Sequence, residues 1–121
     1  MATLTPTLTL TSSDVFTDSL NLSVTDSLTI NGDADFSRTK MAAASGDTTI
    51  YATSYGRSMV FLHNVDSTTA IKIDFGSQLS LQIEPLEFAF FPWDGSAAIV
   101  AASEDSNTPI LEHAVFEFTA S

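Results

Sequence analysis

Near the N-terminus apolar and polar positions alternate: Leu4, Pro6, Leu8 and Leu10 are interleaved with Thr3, Thr5, Thr7, Thr9 and Thr11. A period of two sends successive side chains to opposite faces of an extended chain, so the segment predicts a strand with one apolar face. Pro6 offers no N–H to a ladder, which confines such a strand to a sheet edge or to an arm that pairs with a neighbour.

A short repeat follows, in which Thr17-Asp18-Ser19-Leu20-Asn21-Leu22 returns as Thr25-Asp26-Ser27-Leu28-Thr29-Ile30. Leu20, Leu22, Val24, Leu28 and Ile30 all fall on even positions and keep one face apolar. Two repeats do not make a solenoid, so the stretch predicts one long strand or a bent pair. Asn31-Gly32-Asp33 then carries a strong turn signal. Residues 34–48, with Ala42, Ala43, Ala44, Ser45 and Gly46, show neither period and read as loop.

Strands resume over Thr49–Thr53, Ser58–Asn64, Ala70–Phe75, Leu79–Ile83, Glu87–Phe91, Ala97–Ala101 and Ile110–Phe118. Turn chemistry separates them at Asn64-Val65-Asp66-Ser67, Phe75-Gly76-Ser77, Glu84-Pro85, Asp94-Gly95-Ser96 and Asn107-Thr108-Pro109. Many short strands with no helical pattern between them predict an all-β fold: an antiparallel β-sandwich or jelly-roll-like barrel with an extended N-terminal strand or arm. Residues 1–121 read as a single β domain, with 1–12 as the edge strand or arm. Alternation also names a core: Val60 and Leu62 against Met59 and Phe61, then Ile71, Ile73 and Phe75 on one face and Leu79, Leu81 and Ile83 on another. Leu111, Phe116 and Phe118 read as at least partly buried.

Charge narrows the function classes. Fifteen acidic side chains face four cations, Arg38, Lys40, Arg57 and Lys72, for a formal net charge of −11. Phosphate binding needs clustered Lys and Arg, so nucleic acid is a poor partner and an anionic membrane is disfavoured for the same reason. No apolar run approaches the roughly 20 residues that cross a bilayer. The opening MATLTPTLTL lacks a cationic stretch followed by a continuous apolar one, so no secretory signal is expected. With no cysteine, disulfides, thiolate metal sites and thiol nucleophiles are absent. Core packing, association with other subunits, or both must then stabilise the chain.

Candidate chemistry is sparse. His63 and His113 have carboxylates near them in sequence, Asp66 for the first and Glu112 and Glu117 for the second. A hydrolytic triad would also need a nucleophile on an elbow, and no Gly-x-Ser-x-Gly occurs. Both histidines read more simply as strand residues at a surface or a subunit contact. Asn31, Asp33 and Asp35 set three oxygen side chains at alternate positions, a calcium-like spacing without the bidentate Glu that closes such a loop; a polar turn is the plainer reading. Asn21-Leu22-Ser23 fits the N-glycosylation pattern, which has no force without a secretory route. No catalytic residue, metal or cofactor is expected, and so no enzyme.

The most distinctive stretch runs from Ile83 to Gly95. Phe88 and Phe90 point one way, Phe91 the other, and Pro92 to Gly95 reads as a turn that presents Trp93. A strand apolar on both faces is central in a sandwich or pressed against another subunit. Aromatics are enriched at interfaces, so Phe88, Phe90, Phe91 and Trp93 are candidate interface residues, and Leu4, Leu8 and Leu10 join them as the apolar side of the N-terminal arm.

Two segments taken together, Asp18 to Ile30 and Glu87-Phe88-Ala89-Phe90-Phe91-Pro92-Trp93-Asp94-Gly95 followed by Pro109-Ile110-Leu111-Glu112, resemble a family of small virion proteins encoded among the structural genes of tailed bacteriophages, especially those of aquatic bacteria and cyanobacteria. The family often carries Gly at the turn position held here by Leu86, and an aromatic where this chain has His113. The resemblance implies a capsid decoration, or cement, protein: synthesised in the host bacterial cytoplasm, carried on the outer capsid surface of the virion, self-associating as a homo-oligomer, a trimer by expectation, and bound to the major capsid protein. A tail, baseplate or fibre component is the alternative within the virion. A carbohydrate-binding sandwich, with Trp93 and Tyr55 stacked on sugar faces, is the alternative outside it.

Overall fold

The computed structural model describes residues 2–15, 17–41, 46–76 and 79–118, without the side chain of Asn31. The strands are β1 (Ala2–Leu4), β2 (Thr7–Ser12), β3 (Leu20–Thr25), β4 (Leu28–Lys40), β5 (Thr48–Tyr51), β6 (Ser58–Asn64), β7 (Ile71–Phe75), β8 (Leu79–Ile83), β9 (Phe88–Trp93), β10 (Ile99–Ser103) and β11 (Ile110–Phe118). One 3-10 turn, Thr53–Tyr55, is the sole helical element among the described residues.

All pairings are antiparallel. They build a five-stranded sheet in the order β1-β4-β11-β6-β9, a four-stranded sheet in the order β5-β10-β7-β8, and a two-stranded ribbon, β2-β3. The fold is an antiparallel β-sandwich. Its core lies between the two larger sheets, where Val60, Leu62, Leu111 and Val115 meet Ile71, Ile73, Ile99 and Ala101, all fully buried. Strand alternation drives this arrangement: β6 and β7 bury every second residue and leave the others to the outside.

β4 corrects the expected loop at 34–48, since it runs unbroken to Lys40 and Thr48 already belongs to β5; Ala42 to Ser45 lie outside the described residues. Asn31-Gly32-Asp33 is likewise a bulge and not a turn. Phe116 faces Ala34 and Phe118 faces Ile30, so three residues of β4 oppose Glu117 alone. The Glu117 side chain fills the space over Gly32, where a Cβ would collide with it. The turn reading failed because a bulge and a turn draw on the same flexible residues.

The two copies of the repeat open consecutive strands, Leu20-Asn21-Leu22 in β3 and Leu28-Thr29-Ile30 in β4. Their partners β2 and β1 keep one register throughout: Leu4 faces Leu28, Leu8 faces Val24, and Ser12 faces Leu20. The Asp26 N–H donates to the Pro6 carbonyl at 3.1 Å, carrying the ladder across the proline. β1, β2, β3 and the start of β4 thus form one long hairpin whose base is the edge of the larger sheet. Its far end, β2-β3, pairs with no other strand and spans about 17 Å.

Candidate functional site

Directly opposed residues of an antiparallel pair point to the same side, so the register identifies what the outer face of the five-stranded sheet displays. Phe88, His63, Glu112 and Arg38 form one row, and Phe90, Phe61, Ala114 and Phe36 the next. Pro92, Met59, Phe116 and Ala34 form a third, with Phe118 and Ile30 beyond it. This is an aromatic surface on the side away from the core. Phe36 is 63% exposed and Phe88 66%.

Ile30 shares its side with Leu28, and Leu28 with Leu4, so the same face continues along the hairpin into Leu8, Leu10, Leu22 and Val24. Leu8 is 52% and Val24 64% exposed, while the opposite face of the ribbon is Thr7, Thr9, Thr11, Asn21, Ser23 and Thr25, also exposed. Solvent therefore reaches both sides of the ribbon. An isolated two-stranded ribbon is marginal in water, and this one turns a row of aliphatic side chains outward.

The expected interface residues separate on this geometry. Leu8, Leu10, Phe88 and Phe90 are exposed and share one face, and Leu4 is half-buried on that face. Phe91 points inward, with its ring edge-on to Phe75 at 5.5 Å. Trp93 is a correction: it closes β9 with 6% of its surface exposed, and its indole N–H donates to the Ala97 carbonyl at 3.0 Å. The turn begins only after it, and Gly95 there (φ 77°) lies against the Gly56 backbone too closely for any Cβ. A buried Trp93 offers no face for a sugar, and Tyr55 stands edge-on to Tyr51 at 5.2 Å. Leu79 and Ile110 are exposed, and Phe116 and Phe118 are half-buried on the outer face.

Between the edge strands β8 and β9 the sandwich opens into a cleft of about 670 Å3, lined by Phe75, Leu81, Ala89, Phe91, Trp93 and Arg57 among others. Its walls are mostly hydrocarbon.

The polar groups with unusual surroundings lie elsewhere, on the inner side of β4, and sequence reasoning missed their association. The Tyr51 hydroxyl donates to Asp35 at 3.1 Å and accepts from His113 Nδ1 at 2.8 Å, and the Thr39 hydroxyl donates to His113 Nε2 at 2.8 Å. Ser37 donates to the Asp35 carboxylate as well. Burial pushes the His113 pKa down, with the Asp35 charge offsetting part of that, and burial followed by Asp35 pushes the Tyr51 phenol up. Both side chains are neutral at pH 7. The chain of groups is satisfied and His113 is closed off from solvent, so its chemistry is that of a buried cross-brace between β4, β5 and β11.

Outside, Glu112 accepts from Arg38 at 2.8 Å and approaches His63 at 3.5 Å, and the Arg38 hydrogen bond holds its carboxyl below the usual range. Of the three residues with calcium-like spacing, Asp35 is committed to Ser37 and Tyr51 and the Asn31 side chain lies outside the described residues. Among the described residues no group of three or more His, Asp or Glu is placed to hold a metal ion.

No protein-family profile and no curated protein matches the chain. Among solved structures, that of a Bacillus endospore appendage, from a family of disulfide-linked pili, is similar over 76% of this chain and 91% of its own, with a TM-score of 0.54 and 16% sequence identity. At that identity the likeness is one of fold: this chain shares a β-sandwich with a pilus protein.

Proposed function

We propose that this protein is a non-catalytic structural subunit that works by binding copies of itself and a larger assembly, and that the assembly is a phage particle on which it acts as a capsid decoration protein. One observation carries the reading: a single apolar face runs from the aromatic sheet surface to the ribbon tip and is left open in the isolated chain. Contiguous exposed apolar surface on a soluble protein marks an interaction site. The resemblance of Asp18 to Ile30 and Glu87 to Gly95 to phage virion proteins selects the kind of assembly.

Cementing needs no chemistry. A protein that binds only the mature shell stabilises it by mass action, by about 2.7 kcal/mol at a free concentration a hundredfold above Kd, and several contacts per bound oligomer multiply that. The net charge of −11 keeps the subunit soluble and off the packaged DNA. Shells carrying the protein should survive heating that ruptures bare shells. Deleting residues 2–12 should abolish coating while the far-UV β spectrum persists, and a truncated protein that coats as well as the full chain refutes the role of the arm.

The fold similarity to a disulfide-linked pilus supports a second reading, a subunit of a filament. This sequence has no cysteine, so such a filament would be held without disulfide links. Electron microscopy of the concentrated protein separates the two: fibres in the absence of shells favour the filament.

A further inference from the structure

The ribbon and the sheet face each lack a cover, and their dimensions and charges match. The ribbon presents Leu8, Leu10, Leu22 and Val24 over about 17 Å of length. The outer face of β4, β11, β6 and β9 is four strands wide, roughly 19 Å at about 4.8 Å per strand. Residues 2–30 contain Asp14, Asp18 and Asp26 and no Lys or Arg, whereas the outer side of β4 carries Lys40 and Arg38, the latter already paired with Glu112 at 2.8 Å, and Arg57 sits over the Phe118 ring at 5.3 Å.

Within one copy the two surfaces do not meet: both stay exposed on the same side of the long hairpin and its sheet. We propose that the ribbon seats on the outer aromatic face of a second copy of this chain, and that the second ribbon returns the contact. A two-fold rotation about an axis between ribbon and sheet makes both contacts at once. Phe36, Phe88 and Phe90, exposed by 63, 66 and 40%, together offer roughly 340 Å2 of open ring surface at about 200 Å2 per aromatic. One ribbon seat is thus well short of the roughly 800 Å2 per partner of a stable interface, and the reciprocal seat brings each copy close to it. This inference rests on the reading of the protein as an associating structural subunit, and names the surface and partner for it.

The test uses sedimentation equilibrium on three full-length proteins: the unaltered chain, a ribbon variant (Leu10→Asp with Leu22→Asp) and a face variant (Phe36→Ser with Phe88→Ser). The unaltered chain should associate. Each variant should do so at least tenfold more weakly, since an acid or hydroxyl then lies in a dry contact. An equimolar mixture should associate more strongly than either variant and more weakly than the unaltered chain, because one of the two seats in the mixed pair joins an intact ribbon to an intact face. The face variant alters only exposed positions and keeps the body folded, so it decides the matter even where the ribbon variant frays. Unaltered chain that stays monomeric overturns the proposal, as does a face variant that associates normally, or a mixture no stronger than its components. A monomer that still coats phage shells overturns ribbon exchange and leaves the decoration reading standing.

Discussion

Asn64 is the polar residue with the most to lose. Its side chain is fully buried where β6 ends, and its amide nitrogen donates to the Thr69 carbonyl at 2.8 Å and the Ile83 carbonyl at 3.0 Å. Its amide oxygen accepts from the Asp66 N–H at 3.0 Å, and its backbone pairs with Leu86 and Glu87 in the turn that leads into β9. One side chain thereby ties the β6–β7 connection to the end of β8 and steadies the strand that displays Phe88 and Phe90. Asn64→Ala strips these three side-chain bonds from the Thr69 and Ile83 carbonyls and the Asp66 N–H. At about 1 kcal/mol per bond the loss is about 3 kcal/mol. For a chain of this size that lowers Tm by roughly 12 °C, at about 4 °C per kcal/mol. Urea and thermal unfolding followed by circular dichroism measure both. Asn64→Asp sharpens the argument, because a carboxylate cannot donate to either carbonyl: it should be worse than alanine at neutral pH and recover part of the deficit as acid protonates it. A loss below about 0.5 kcal/mol in the alanine variant, or an aspartate variant indifferent to pH, would refute the assignment.

Leu86 occupies the third position of the Glu84-Pro85-Leu86-Glu87 turn, closed by Glu87 N–H to Glu84 O at 3.0 Å, with φ 69°. That position of a type II turn favours glycine, so Leu86→Gly should raise stability by about 1 kcal/mol in denaturant titrations. His113, its pKa depressed by burial, stays neutral in the fold while the unfolded chain gains a proton below about pH 6.5. Stability should therefore fall as pH drops from about 6.5 toward the folded pKa, and His113→Gln should flatten that part of the profile. Asp66, Asp94 and Glu112, whose carboxyls hydrogen bonds hold below their usual range, should add a further loss at lower pH, as acid protonates them in the fold. Arg38→Ala should change stability by less than about 0.5 kcal/mol at moderate salt, since the guanidinium is largely exposed and water competes for Glu112.

Much of the sandwich can be read from alternation alone. Ser58–Asn64, Leu79–Ile83 and Ile110–Phe118 are strands with the bounds the pattern predicts; the first and last bury one face, whereas of the expected core residues Leu79, Leu81 and Ile83 only Ile83 is fully inside and Leu79 is exposed. β4 hides because its pattern is inverted: Asp35, Ser37 and Thr39 point inward to the Tyr51–His113 network, while Phe36 points to water. A search for apolar inner positions passes over such a strand. Trp93 misleads for a different reason, as Asp94-Gly95 marks the end of β9 without revealing that the indole turns back under Ala97. The shared face of the ribbon and the aromatic sheet depends on which strands are neighbours across the whole chain, and no local pattern carries that.

The order of strands in the larger sheet has a consequence for how the molecule is made. β11 follows every other strand in the chain, yet it lies between β4 and β6. Until it emerges, β4 and β6 have no bridge, and their inner edges wait as unpaired templates. The N-terminal hairpin can close early from local contacts, whereas the body must search for closure across most of the polypeptide, a slow step that leaves strand edges prone to aggregate. Nascent chains stalled before Ile110 should thus be protease-sensitive along β4 and β6, whose shared partner has not yet been made.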